Sequence, residues 1–291
     1  MNIVIFGKQL SDAHIPYLEQ LFLELNNRGA RICIFKPYFE LLRSRMNLAF
    51  NPGVFTKPEE IKDLDILFSI GGDGTILDAV PYVQDKNVPM MGINMGRLGF
   101  LSSVSKSGIK QAIDNIYNHE YKLEQRALIR LSQPENLFGS LNFALNDVTL
   151  YRDNNNSLVA VHVFVDDLFL NTYWGDGLII ATPTGSTAYS LSVGGPIITP
   201  GSENFVIAPI ASHNLTVRPI VIPDKSRIRL KIEGREKKFQ LTMDSRQTII
   251  HEMEEIVLEK CDFKINLVQL PGHDFFSTIR EKLLWGRDIR N

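Results

Sequence analysis

Hydrophobic and polar residues follow two different patterns along the chain. In the first part, short apolar runs alternate with stretches that carry apolar residues at helical spacing. The apolar runs predict strands at 3–6, 31–35, 65–70 and 89–94. The amphipathic stretches predict helices at 14–28, 75–84 and 106–119. Strands and helices in alternation favour a parallel sheet covered by helices.

After about residue 121, apolar positions recur at every second residue. Val159, Val161, Val163 and Val165 form one such series, and Ile228, Leu230 and Ile232 alternate with charged residues in another. Two further strands are predicted at 255–260 and 263–270. This spacing is typical of strands with one buried face, so we predict two packed antiparallel sheets. A final helix is predicted within 274–290.

The change of pattern divides the 291 residues into two domains, as expected for a chain of this length. Residues 1–122 are predicted to form an α/β domain with a Rossmann-like parallel sheet. Residues 123–270 are predicted to form an all-β sandwich.

Composition narrows the class of protein. Lys and Arg number 31 against 33 Asp and Glu, which argues against a broad basic surface and a nucleic-acid partner. The two cysteines, Cys33 and Cys261, form neither a disulfide framework nor a metal cluster, as in a reducing compartment. The sequence contains no run of about 18 apolar residues and no basic leader. We therefore expect a cytoplasmic protein without a membrane partner.

The first segment with chemical character is Gly71-Gly72-Asp73-Gly74-Thr75, between a predicted strand and a predicted helix. Glycines let the backbone approach a ligand closely, and a helix N-terminus attracts phosphate. The alternative is a tight turn in which Asp73 caps the helix. Three glycines around one acid favour a phosphate site at Gly71, Gly72, Gly74 and Thr75. An acid there can accept a hydroxyl proton or hold a metal ion that bridges phosphates.

The second segment extends over residues 175–190, continues at 194–197, and is rich in Gly, Asp, Ser and Thr. Hydroxyl groups and exposed backbone amides suit the polar edges of a ribose and a base. An ordinary β-turn with capping residues would explain each residue singly, and this alternative stays open.

Three segments in this order resemble the NAD kinase family: Gly71–Thr75, Asn146-Asp147 and Asp176–Ser192. The long third segment is the most specific, whereas lipid kinases and phosphofructokinases share a form of the first. The resemblance implies an α/β domain followed by a β-sandwich that binds NAD. It also implies that residues 271–291 pack back on the first domain.

The resemblance implies transfer of the γ-phosphoryl group of ATP to the 2′-hydroxyl of the adenosine ribose of NAD, which makes NADP. It makes Asp73 the general base and a contact of Mg²⁺ or another divalent cation. Asn146 and Asp147 match residues that bind the riboses, and Asp176 matches an acid near the nicotinamide. The substrate-binding residues it implies are Asp73, Gly74, Asn146, Asp147, Asp176, Thr187, Ala188, Tyr189, Ser190 and Ser192.

Two other functions share parts of this pattern: a diacylglycerol-like lipid kinase, and a sensor that binds NADP without turnover. No basic amphipathic helix supports the lipid kinase, and an acid beside phosphates disfavours the sensor. The resemblance also implies a homodimer or homotetramer. It leaves open the use of polyphosphate in place of ATP and the acceptance of NADH.

Several residues depart from the family pattern. Trp174 stands where many relatives carry a basic residue: its ring either stacks on a ligand in place of a charge contact or packs inside the protein, as is usual for a lone aromatic residue. Asp78 stands where some relatives carry a basic residue near phosphate, and we assign it no binding role because an acid there would repel phosphates. Asp244-Ser245-Arg246-Gln247 replaces a family Asp-Gly-Gln. The acid of that motif is retained, so Asp244 is a candidate site residue, and the role of Arg246 stays open.

Overall fold

The structure is a computed structural model that describes residues 1–96, 99–135, 137–153, 158–234, 237–252 and 255–285. The strands are β1 (Asn2–Gly7), β2 (Arg31–Phe35), β3 (Gly53–Phe55), β4 (Ile66–Ile70), β5 (Pro89–Asn94), β6 (Val104–Ser105), β7 (Lys122–Gln133), β8 (Phe143–Ala144), β9 (Asp147–Arg152), β10 (Val159–Val165), β11 (Leu168–Gly175), β12 (Gly177–Ala181), β13 (Asn204–Ile210), β14 (Ile220–Pro223), β15 (Ile228–Gly234), β16 (Lys238–Met243), β17 (Arg246–His251) and β18 (Glu255–Gln269). The helices are α1 (Ile15–Asn27), α2 (Lys36–Arg45), α3 (Asp73–Val83), α4 (Ile109–Tyr117), α5 (Tyr189–Ser192) and α6 (Phe275–Leu283).

The chain forms two compact units. The first contains residues 1–125 and the C-terminal segment from 265, and the second contains residues 126–264. The domain boundaries predicted from the sequence were 122 and 270. Of the helix predicted within 274–290, α6 accounts for residues 275–283, and residues 286–290 lie outside the described part.

A parallel sheet forms the centre of the first unit, as the alternating pattern predicts. Its strand order is β18–β5–β4–β1–β2–β3, where only the C-terminal part of β18 takes part. β1 and β4 are apolar and almost completely buried, which is typical of central strands in such a sheet. Val268 and Leu270 join the same hydrophobic core, so the C-terminal segment contributes to this unit.

Three elements of the first unit, α2, β3 and the two-residue strand β6, were not predicted from the sequence. α2 begins directly after β2 and buries only Tyr38 and Leu42, so its apolar stripe is too narrow to stand out. The end of α1 was predictable, because Gly29 has a φ of +65° and closes the helix.

The second unit consists of two antiparallel sheets with one shared core. Their strand orders are β11–β10–β15–β18 and β14–β13–β12–β9–β16–β17. The buried alternating residues of β10 and β15 point into this core, which confirms the sandwich prediction. The two strands predicted over 255–270 are wrong in one respect, because they form the single strand β18. Across the described residues, every helix is too short or too polar to cross a bilayer.

Candidate functional site

The glycine-rich loop connects β4 to α3 at the carboxyl edge of the parallel sheet. Gly71 has a φ of +150°, and a Cβ there would lie 2.2 Å from Thr75 Oγ1, so the loop requires glycine at this position. A Cβ on Gly72 or Gly74 would have no heavy atom within 4 Å. The backbone at the N-terminus of α3 is therefore open to a ligand at both glycines.

Asp73 is the first residue of α3, but its carboxylate does not cap the helix, whose N-cap is Gly72. The capping alternative is therefore wrong. Oδ1 accepts hydrogen bonds from Leu101 N (3.1 Å), Ser102 N (3.1 Å) and Ser102 Oγ (3.0 Å). Oδ2 accepts one, from Phe100 N at 2.7 Å. The carboxylate is thus fixed by a segment 27 to 29 residues away in sequence, and Oδ2 has acceptor capacity left.

Three residues that support this arrangement, Asn94 at the end of β5 and Gly99 and Ser102 after it, were not predicted from the sequence. Asn94 Nδ2 donates to Ser102 Oγ at 2.9 Å, and Gly99 N donates to the same oxygen at 3.2 Å. A Cβ on Gly99 would lie 1.8 Å from Asp73 Oδ1, so the close approach of the two segments depends on glycine. The glycines that follow a predicted strand at 89–94 were the available signal.

Lys8 brings a positive charge to the same sheet edge. It follows β1, whose Gly7 pairs with Ile70 at the end of β4. Its Nζ lies 2.6 Å from Asp78 Oδ2, and half of the lysine side chain is exposed. Asp78 therefore pairs with this lysine.

In the second unit, two of the predicted motifs meet at Asn146. The carbonyl of Asn146 accepts from Thr182 N at 2.9 Å, and Thr182 Oγ1 donates to Leu145 O at 2.6 Å. A Cβ on Gly185 would lie 2.1 Å from Asn146 O. The Asn146-Asp147 pair thus packs directly against the turn of the long polar segment.

Asp147 is a buried acid with few partners. It is 8% exposed, and Thr149 Oγ1 donates to its Oδ1 at 3.0 Å. Burial and then the nearby charge of Asp244 raise the pKa of Asp147 to about 7, against a smaller opposing effect of the Thr149 hydrogen bond. Asp147 therefore changes its protonation state near neutral pH.

Asp176 and Tyr189 lie near Asp147. Asp176 Oδ1 pairs with Arg152 Nη2 at 3.0 Å. Burial raises the pKa of Tyr189, and Tyr151, Asp176 and Asp147 raise it further in that order. The Tyr189 hydroxyl therefore lies in a field of negative charge from both acids.

The remaining predicted residues of the long segment differ in exposure. Thr187 and Ala188 are partly buried, while Tyr189 and Ser192 are exposed and available to a ligand. Ser190 is fully buried, and a Cβ on Gly195 would lie 2.3 Å from its Oγ. Trp174, whose role the sequence left open, is 51% exposed and is therefore no core residue.

Asp73 and Gly74 thus belong to the first unit, and the other residues predicted to bind the substrate, from Asn146 to Ser192, belong to the second. Within the described ranges, no group of three or more His, Cys, Asp or Glu residues is arranged to hold a metal ion by itself.

Comparison with protein families assigns both units. The profile of the ATP-NAD kinase N-terminal domain matches residues 3–121, and that of the ATP-NAD kinase C-terminal domain matches residues 145–270. The chain belongs to the ATP-NAD kinase family. The family matches leave residues 122–144 between them, where β7 and β8 lie.

Relatives and solved structures agree with this family. The chain is 40% identical to an NAD kinase from Cytophaga hutchinsonii and 41% identical to one from Flavobacterium johnsoniae, with 100% of each chain covered. Yeast NADH kinase, solved with NADH, superposes with a TM-score of 0.88 at 25% identity, over 100% of this chain and 89% of the yeast chain. An NAD kinase from Archaeoglobus fulgidus, solved with ATP, superposes with a TM-score of 0.74 at 24% identity, over 98% of this chain and 99% of the archaeal chain. This second structure supports the fold.

Proposed function

We propose that this protein is an NAD kinase, which transfers the γ-phosphoryl group of ATP to the 2′-hydroxyl of the adenosine ribose of NAD. The observation that carries the proposal is full-length similarity to NAD kinases in a chain that holds the glycine-acid loop in one unit and the Asn146-Asp147 pair in the other. The family makes the enzyme a phosphotransferase with an alcohol acceptor.

Asp73 is proposed as the general base. Phosphoryl transfer depends mainly on positioning and charge neutralisation, but the acceptor hydroxyl must lose its proton. Oδ1 already accepts three hydrogen bonds, whereas Oδ2 accepts one. Oδ2 is therefore the oxygen proposed to accept the ribose proton. The donors from residues 100–102 fix its orientation.

The residues around the loop fit a Mg²⁺ ion that arrives with ATP. Proteins bind Mg²⁺ through one or two carboxylates together with substrate phosphates. The one position left on Asp73 Oδ2 would hold either the ribose hydroxyl directly or the ion, in which case Asp73 would act on the hydroxyl through the ion. When bound, the ion would neutralise charge on the phosphates. Gly71, Gly72, Gly74 and Thr75 are proposed to receive phosphate oxygens at the N-terminus of α3, where Gly72 and Gly74 leave the backbone open.

NAD is proposed to bind to the second unit. Asn146 and Asp147 would hold ribose hydroxyls, and Asp176 would lie near the nicotinamide. Thr187, Ala188, Tyr189 and Ser192 would contact the adenosine half. Ser190 is buried against the backbone of Gly195, so we propose that it supports this turn from behind.

The proposal extends to assembly and location. We infer a homodimer or homotetramer, which light scattering coupled to gel filtration would measure, and a cytoplasmic protein, which fractionation of the source cells would test.

The experiment that tests the function is a coupled assay. The purified protein is incubated with ATP, Mg²⁺ and NAD, and NADP is detected by reduction with an NADP-specific dehydrogenase. A parallel reaction contains diacylglycerol vesicles and radiolabelled ATP. NADP formation supports the proposal. Lipid phosphorylation without NADP, or tight NADP binding without any product, would replace it with the lipid kinase or the sensor. The same assay with polyphosphate in place of ATP, and with NADH in place of NAD, shows which phosphoryl donors and acceptors the enzyme uses.

A further inference from the structure

A hairpin of the second unit fixes the segment that carries Asn146 and Asp147. The hairpin joins β16 to β17, with Met243 paired to Arg246, so Asp244 and Ser245 form the turn. Asp244 has a φ of +52°, a left-handed conformation that Asp, Asn and Gly tolerate better than other residues. The turn thus places a carboxylate where few other side chains would be accepted.

The Asp244 carboxylate accepts three consecutive backbone N–H groups. Leu145 N donates to Oδ2 at 2.8 Å, and Asn146 N and Asp147 N donate to Oδ1 at 2.8 and 3.3 Å. In return, the backbone N–H of Asp244 donates to Asp147 O at 3.1 Å. These contacts orient the start of β9, so they determine where the two side chains of the pair point.

Arg246 holds the residues just before this segment by their backbone carbonyls rather than by their N–H groups. Its guanidinium donates to the carbonyls of Leu141 and Phe143 and lies 5.6 Å from the centre of the Phe143 ring. A single hairpin therefore holds residues 141–147 by both kinds of backbone group. The Asp244 carboxylate accepts from N–H groups, and the Arg246 guanidinium donates to carbonyls.

We propose that Asp244 is a positioning residue for NAD: by gathering the N–H groups of residues 145–147, it sets the geometry and the charge state of the Asn146-Asp147 pair. The proposal rests on the proposed NAD kinase function. It gives Asp244 no contact with the reacting atoms.

The charges around the pair support this role. Burial raises the pKa of Asp244, while the three N–H donors and Arg246 oppose the shift. Asp147 faces Thr149, Tyr189 and Asp244, and it receives the Thr149 hydroxyl. The N–H donors and Arg246 favour a negative charge on Asp244, and burial, together with that charge, raises the pKa of Asp147. Removal of the Asp244 charge should therefore move the titration of Asp147 to lower pH.

The test compares Asp244→Asn and Asp244→Gly with the wild-type enzyme. Both substitutions tolerate the left-handed turn; the first removes the charge and one acceptor, and the second removes all acceptors. Asp167→Gly is the matched control, because Asp167 also has a positive φ in a hairpin turn but lies in the exposed β10–β11 turn. KM for NAD, KM for ATP and kcat are measured at several pH values, and the melting temperature of each variant is recorded.

We expect KM for NAD to rise about tenfold in both Asp244 variants, since lost charge-assisted hydrogen bonds cost this much, with KM for ATP unchanged. In Asp244→Asn, the midpoint of the pH profile of KM for NAD should fall below that of the wild type. Asp147→Asn should abolish that midpoint, and Asp167→Gly should preserve every parameter.

Two outcomes would overturn the inference. One is an Asp244→Asn enzyme with the wild-type KM for NAD and the wild-type midpoint. The other is an equal rise of KM for NAD and KM for ATP with an unmoved midpoint, which would indicate a general change of the enzyme rather than positioning of the NAD-binding pair. If neither Asp244 variant folds, Arg246→Gln provides the test, because it releases the carbonyls of residues 141 and 143 just before the segment and removes a charge that favours the ionised Asp244 carboxylate. An unchanged KM for NAD with an unmoved midpoint in that variant also rejects the inference. A wild-type enzyme that makes no NADP would instead reject the proposed function.

Discussion

The two units hold their key acids in opposite ways. Asp73 receives four hydrogen bonds from three consecutive residues of one loop, whereas Asp147 receives one hydroxyl and faces a second carboxylate. Many donors fix the position of a carboxylate, and few donors together with burial make its charge depend on pH. The difference teaches that hydrogen bonds fix the position of the acid proposed for chemistry, whereas the charge of the acid proposed for NAD binding depends on pH.

The largest expected effect is the loss of turnover on substitution of Asp73, the acid that four hydrogen bonds hold in place. Asp73→Asn keeps the shape but removes the proposed base, so kcat should fall by about 10²-fold or more while NAD binding is largely kept. Steady-state kinetics and equilibrium binding of NAD measure the two quantities separately.

Ser102→Ala is the matched control for that variant. It removes one of the four hydrogen bonds to Asp73 and leaves the carboxylate in place. We expect a much smaller loss of kcat. Near-normal turnover of Asp73→Asn would contradict the assignment of the base, and equal losses in both variants would show that Asp73 acts only by holding the loop.

Local patterns explain what the sequence could predict. The glycine loop was predictable because five consecutive residues carry its geometry, and the sandwich because alternation is a local signal. The contacts that hold the acids were not, because Ser102 lies 29 residues from Asp73 and Asp244 lies 98 residues from Asn146. Chain topology, rather than any local pattern, brings those donors and acceptors together.

The second prediction concerns the support of Asn146. A Cβ on Gly185 would lie 2.1 Å from Asn146 O, so Gly185→Ala must displace the Asn146-Asp147 pair or the polar turn. We expect the dissociation constant for NAD to rise about tenfold, the loss of roughly one well-placed contact. Gly201→Ala is the control, because a Cβ there has no heavy atom within 4 Å. Calorimetric titration that finds equal NAD affinity in both variants would contradict the proposed site.

The third prediction separates a phosphate loop from a simple turn. Gly74 lies in the first turn of α3 with open space beside it, so Gly74→Ala should stabilise the helix by up to about 1 kcal/mol. If phosphates approach that backbone, the added methyl group should nevertheless raise KM for ATP several-fold. Gly29→Ala, at a positive φ away from the loop, should lose stability but keep KM for ATP. A more stable Gly74→Ala enzyme with unchanged KM for ATP would favour the simple turn.

The smallest expected effect is a pH-dependent stability at Asp147. Its pKa is about 7 in the folded protein, against an ordinary value of 3.8, so between these values the native state keeps a proton that the unfolded state has lost. Stability from this group is therefore complete at low pH and decreases as the pH rises toward 7. Asp147→Asn does not titrate, so its melting temperature should gain a few degrees on the wild type between about pH 5 and about pH 7 and no more above that. Asp167→Asn, at an exposed position, is the matched control and should show a constant difference. A constant difference for Asp147→Asn as well would mean that Asp147 is charged throughout this pH range and would remove the proposed pH dependence.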